Sequence, residues 1–176
     1  MKRILLITGS PGSGKTTLIS AVAEDLARFH PSGFLTAEIR VAGVRKGFEL
    51  KNLDGKRTVL AHSSMESRYR VGRYGVDIAG FEHFLEETFS GDAGAKVFII
   101  DEIGKMECLS AYFREQVSVI LEGPVPVIAT IALKGDAFIE SVKKRDDATL
   151  FQLTPGNRDI LRQKVLHSAL EMVSRT

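Results

Sequence analysis

The chain has 176 residues, 44% of them hydrophobic and 26% charged, with 24 Lys and Arg against 22 Asp and Glu for a net charge of +2. This composition excludes a disordered, collagen-like or fibrous chain, and the length suits one domain, 1–176, with its own core. A lone cysteine, Cys108, excludes an internal disulfide, and no stretch approaches the ~18 continuous apolar residues of a membrane span, so a cytoplasmic protein without membrane contact is expected.

The run RILLIT reads as a short strand ending in a glycine-rich turn, and Leu18, Ile19, Val22, Ala23, Leu26 and Phe29 then recur at helical spacing. GFLTAEIR and GFELKNL flank VAGVRK, and Asp54-Gly55 offers a tight turn into KRTVLAH. That pattern predicts an antiparallel hairpin or small meander over 33–62. After a polar stretch around Tyr69 to Asp77, the residues Phe81, Phe84, Leu85 and Phe89 predict a short amphipathic helix. VFII before Asp101 is a continuous apolar run, as expected of a strand buried on both faces. A helix follows on Leu109, Tyr112, Phe113, Val117, Ile120 and Leu121, then a strand in PVPVIATIAL, a helix in DAFIESVKKR and a strand in ATLFQL. Thr154-Pro155-Gly156 breaks the chain before a last helix carrying Ile160, Leu161, Val165, Ala169 and Val173. Alternation of this kind predicts an α/β fold: a mainly parallel sheet covered by helices on both faces, here with an antiparallel hairpin insertion.

Gly9-Ser10-Pro11-Gly12-Ser13-Gly14-Lys15-Thr16 matches G-x-x-x-x-G-K-[ST] and lies between a predicted strand and a predicted helix. Glycines permit positive φ, so successive backbone N–H groups turn into one hollow and the helix start adds its positive dipole end. This makes an anion cradle, a P-loop, continuing to Thr17. Lys15 is expected at the β and γ phosphates of a nucleotide and Thr16 at a Mg²⁺ ion. The strand VFIIDE would deliver Asp101 and Glu102 to the sheet edge where ligands bind in open α/β sheets. Asp101 is assigned to the metal shell, and Glu102 to orienting a water in line with the γ-phosphorus.

GSPGSGKTTL, GFLTAEIR with GVRKGFEL, YRVGRYGVD, VFIIDEIGKME, KKRDD and the terminal NRD follow in an order and spacing that resemble the cancer-related nucleoside-triphosphatase family, small P-loop proteins of kinase-like architecture. DEIGKME is the most specific piece. The resemblance implies Mg²⁺-dependent hydrolysis of the β–γ bond of ATP, GTP and other nucleoside triphosphates. It places nucleotide-binding stretches on Gly9 to Thr16 and on Val97, Phe98, Ile99, Ile100, Asp101, Glu102, Ile103 and Gly104. It also suggests a lid-like segment over 133–147, with Arg145 neutralising transition-state charge; the sequence differs from the family around IALKGDAF.

Several assignments stay two-sided. Glu107, with Lys105, either helps place water or is an acidic residue in the first turn of a helix. Arg145 is either a lid arginine or a solvated cation at a helix end. Asn157, beside Arg158, either borders the base or caps the last helix. His62, His83 and Cys108 lack metal-ligand spacing and are read as structural. Between Arg40 and Arg73, nine basic residues face three acidic ones. They are read as a solvated face, as steering for nucleotide, or as a nucleic-acid surface. A nucleoside triphosphatase acting as a monomer is the leading function, with a nucleoside- or nucleotide-type kinase and a nucleotide-dependent switch for an RNA or protein partner as alternatives.

Overall fold

A computed structural model describes residues 2–90 and 94–175. Nine strands form one sheet in the order β5-β6-β4-β3-β2-β7-β8-β1-β9. They are β1 (Ile4–Thr8), β2 (Pro31–Val41), β3 (Val44–Asn52), β4 (Arg57–His62), β5 (Arg70–Val71), β6 (Tyr74–Val76), β7 (Val97–Ile103), β8 (Val127–Ile131) and β9 (Ala148–Gln152). The helices are α1 (Lys15–Asp25), α2 (Ile78–Phe89), α3 (Ala111–Glu122), α4 (Ala137–Lys143) and α5 (Arg158–Ser174).

The alternation along β1 divides the core. Ile4 and Leu6 join Phe81, Phe84 and Leu85 of α2, Phe113 and Val117 of α3, and Ile139 and Val142 of α4 on one face. Leu5 and Ile7 join Leu18, Ile19 and Val22 of α1 and Leu161, Val165 and Ala169 of α5 on the other. The period-2 geometry of a strand produces two apolar faces from one continuous apolar run, which gives the three layers. Among the described residues no helix is long and apolar enough to cross a membrane.

The 33–62 segment differs from a simple insertion. Pro31 to Phe34 pair in parallel with Val97 to Ile100, so the first half of β2 is a strand of the parallel sheet. Its second half runs past the sheet edge and folds back on β3 through Ala42 and Gly43, both at positive φ (48° and 76°), the conformation a two-residue hairpin turn requires. β4 then continues the meander. Close approach explains Gly33: with φ at 130°, a Cβ there would overlap the carbonyl of Ile99 on β7. The polar stretch 69–77 contains two further short strands, β5 and β6, which pair with each other across the turn at Gly72, and β6 pairs with β4.

The basic stretch is largely used within this sheet. Arg40 and Arg45 pair with Glu38, and Lys56 pairs with Glu87, both acids lying outside the stretch, while Arg57 pairs with Glu49. Arg45 and Arg73 donate to the buried Tyr74 hydroxyl and lie over its ring.

Candidate active site

β1 ends at Thr8, and the chain turns through Gly9 to Gly14 into α1. Gly12 and Gly14 have φ of 75° and 100°, and Ser13 N donates to Ser10 O at 3.1 Å. Gly14 occupies the cap position of α1 without any side-chain cap, and the first helical bond is Leu18 N to Gly14 O at 3.0 Å. The N–H groups of Lys15, Thr16 and Thr17 therefore have no acceptor within the helix and are free to serve an anion. The Ser13 hydroxyl is buried in the same loop without a partner. Lys15 Nζ donates to Gly9 O at 3.0 Å and lies 3.9 Å from Glu102 Oε2, so the lysine spans the gap between loop and acidic strand.

Asp101 is 1% exposed. Its Oδ1 accepts from the Thr130 hydroxyl at 2.6 Å, and its Oδ2 accepts from Thr36 N at 3.2 Å. The Thr36 hydroxyl donates to the Asp101 carbonyl, and the nearby Thr16 hydroxyl favours the charged carboxylate. Burial raises the pKa of Asp101, and these hydrogen bonds with the charge of Lys15 oppose the rise. Thr130 comes from β8, which lies between β1 and β7, and Thr36 from β2 on the other side of β7. Neither threonine is prominent in the sequence; their signal is a hydroxyl inside an otherwise apolar strand.

Glu102 and Glu107 converge over Gly104: a Cβ on that glycine would lie 2.6 Å from Glu102 Oε1 and 2.8 Å from Glu107 Oε2. Burial pushes Glu102 above the usual carboxylate range, with Lys15 pulling it back. Glu107 stands well above that range, through burial first and the charge of Glu102 second. It opens a 3-10 turn, Glu107–Leu109, ahead of α3, as an acidic residue of a helical first turn, and its side chain faces inward. Burial also pushes the neighbouring Cys108 thiol up to about 12, which keeps it inert. Lys105 is exposed.

These two acids set an expectation for pH. A carboxyl raised on folding holds its proton longer in the folded state, so its stabilising contribution is complete below the ordinary glutamate range and is lost as pH rises through the raised value. Glu107→Gln keeps the shape of the neutral acid and cannot ionise. Its melting temperature should fall less than the parent's as pH rises above the ordinary glutamate range, and hydrolysis near neutrality should stay close to the parent's. A melting profile that parallels the parent's, or lost turnover, contradicts this account of Glu107.

Other expected site residues lie elsewhere. Val97, Ile99 and Ile100 are 0% exposed in the core and Phe98 packs against Phe89, so these four carry the acidic pair but do not line the site. Ile103 is likewise buried. Asn157 does not cap α5 with its side chain; Oδ1 accepts from Thr154 N at 2.8 Å and Nδ2 donates to Gln152 O at 2.9 Å, tying the β9–α5 turn. Segment 133–147 is the β8–β9 crossover, with Ile139 and Val142 of α4 packed on the sheet rather than a flap over the loop. Among the described residues no group of three or more His, Cys, Asp and Glu is placed to hold a metal ion.

Arg145 is the clearest correction. It bonds both Asp147 carboxylate oxygens (2.8 and 3.1 Å), Glu122 at 2.6 Å and the carbonyl of Leu121 at 3.2 Å. Arg3 joins the same cluster through Asp147. These residues surround the start of β9, at the amino edge of the parallel strands, roughly 16 Å along a five-residue strand from the loop edge. Helix-to-strand connections fall on that edge by geometry, which removes Arg145 from the phosphates. Arg145→Ala should therefore lower stability by about 1–2 kcal/mol while kcat and KM stay near those of the parent. Steady-state kinetics beside thermal melts check this, and a selective loss of kcat contradicts it.

The family model described as NTPase matches residues 4–166, nearly the whole chain. The chain belongs to this family. The nucleoside-triphosphatase THEP1 of Thermotoga petrophila is 43% identical over 164 residues, 93% of this chain and 90% of that protein. The cancer-related nucleoside-triphosphatase of Homo sapiens is 37% identical over 177 residues, 92% of this chain and 93% of that protein. The crystal structure of THEP1 from the hyperthermophile Aquifex aeolicus superposes with a TM-score of 0.85 at 36% identity, covering 94% of this chain and 98% of that one. The family resemblance read from DEIGKME and its companion motifs, and the three-layer P-loop α/β fold, are borne out by these relatives.

Proposed function

We propose that this NTPase-family protein is a Mg²⁺-dependent nucleoside triphosphatase that cleaves the β–γ bond of ATP, GTP and other nucleoside triphosphates. The observation that carries the reading is the juxtaposition of the uncapped P-loop helix and Lys15 with the Asp101-Glu102 pair, 3.9 Å from lysine nitrogen to glutamate oxygen. The names of the relatives, nucleoside-triphosphatases, support it.

The donors fit Mg²⁺. Thr16 and Asp101 offer one hydroxyl and one carboxylate close to each other, hard oxygen ligands of the kind that Mg²⁺ takes beside substrate phosphates and water. Thr16 and Asp101 would hold the ion, and its charge would offset that of the phosphates. The remaining work belongs to the chain. Backbone N–H groups of the loop and of the first turn of α1 hold the phosphates, and Lys15 draws charge from the β and γ oxygens. Glu102, partly open to solvent and raised by burial, accepts the proton of a water as its oxygen bonds the γ-phosphorus. The bond from γ-phosphorus to the bridging oxygen breaks, and its electron pair leaves on the nucleoside diphosphate. Thr36 and Thr130 keep Asp101 fixed during this step.

Phosphate release from ATP, GTP, CTP and UTP, each with Mg²⁺ and with a chelator, tests the reading. Release that requires Mg²⁺ and no added acceptor supports it. Turnover only on addition of a nucleoside or nucleotide acceptor would establish a kinase instead.

A further inference from the structure

Strand order fixes the direction in which a triphosphate crosses the loop. The acidic pair ends β7, on one side of β1, and β9 lies on the other side. A γ-phosphate at Glu102 therefore points the nucleoside end toward the β9–α5 turn. That turn is held firmly: Leu153 N donates to Thr8 O at 2.7 Å, and Asn157 bonds across it from Thr154 N to Gln152 O. It presents Arg158, the first residue of α5.

Arg158 is placed unlike an ordinary surface arginine. Its Nη2 donates to Ser13 O at 3.2 Å, across 145 positions of sequence. The Nε, Cζ and Nη2 atoms lie 3.2, 3.4 and 3.4 Å from where a Cβ on Gly14 would be. Three guanidinium atoms at contact distance mean that the head group packs against Gly14. The head group is thus held on the phosphate loop while the residue remains exposed, and no carboxylate among the described residues pairs with it. A planar cation that is held in place, exposed and unpaired by carboxylates suits stacking on a flat π system, a contact indifferent to the hydrogen-bonding edge of the base.

We propose that Arg158 is the nucleobase-stacking residue of this site, giving affinity for nucleoside triphosphates as a class without selecting among bases. The proposal rests on the nucleotide reading above and assigns a subsite to it. Equilibrium titration of the whole protein, in Mg²⁺, with ATP, GTP and base-free inorganic tripolyphosphate tests both separately. Arg158→Ala should weaken ATP and GTP by a similar factor, on the order of tenfold, and leave tripolyphosphate affinity unchanged. Arg158→Lys, which keeps the charge and loses the plane, should behave as alanine does. Equal weakening of tripolyphosphate, or rescue by lysine, would overturn stacking and make Arg158 a charge or a brace for the loop. Unchanged affinity for all three ligands would also overturn it. Failure of the parent protein to bind any of the three would instead remove the nucleotide reading.

Discussion

Replacing Glu102 with glutamine should slow phosphate release by about 10² to 10⁴-fold, the usual worth of a general base, while Mg-nucleotide affinity stays near that of the parent. Glutamine keeps the size and the hydrogen-bonding oxygen, and it loses the basicity that takes the proton from water. The site gives Glu102 the right environment for that task. Burial raises its pKa, which strengthens it as a base, and Lys15, 3.9 Å away, opposes the rise. Single-turnover hydrolysis beside nucleotide titration separates the two effects. Loss of binding together with rate would make Glu102 part of the metal shell, and a rate within a few-fold of the parent would move proton acceptance elsewhere.

Lys15→Ala should be at least as damaging, because the side chain serves three groups at once. Its ammonium holds the loop carbonyls of Gly9 and Ser10, tempers Glu102, and is the mobile charge for the β and γ phosphates. Turnover should fall by about 10² to 10³-fold or more, the cost of removing one donor aimed at developing charge, and affinity for the triphosphate should weaken as well. The fold should survive, since the lysine contributes nothing to either apolar core. Far-ultraviolet circular dichroism measured with phosphate release checks both halves. A variant that hydrolyses at the parent rate removes the loop from the chemistry.

The parts of this site that were legible in the sequence are those whose chemistry is local. A glycine loop between an apolar run and a helical repeat, and an acidic pair at the end of VFII, declare themselves within ten residues each. Nonlocal partners do not. Thr36 and Thr130 reach Asp101 only because β2 and β8 flank β7, and no spacing announces which strands are neighbours. The two faces of β2, parallel at Pro31 to Phe34 and antiparallel beyond, are likewise a property of its partners. β5 and β6 are two and three residues long, too short for any alternation to register.

The choice between Arg145 and Arg158 carries a more general lesson. Both sit in charged turns beside β9, but Arg145 precedes the strand and Arg158 follows it. In a parallel sheet with helical crossovers, turns from strand to helix gather at the carboxyl edge and turns from helix to strand at the opposite one. That rule alone separates the arginine lying on Gly14 from the one locked to Asp147 and Glu122. The +6 stretch shows the reverse limit: its charge excess was countable, but Glu38 and Glu87, which pair with it, lie outside the window counted.

The central claim is that water attacks the γ-phosphorus, with Glu102 taking its proton. It is tested most directly by hydrolysing Mg-ATP in water enriched in the heavy oxygen isotope, with no acceptor present, and weighing both products. The account predicts one solvent oxygen in the released phosphate and none in the diphosphate. Label in the nucleoside diphosphate, or no phosphate until an acceptor is supplied, would contradict it.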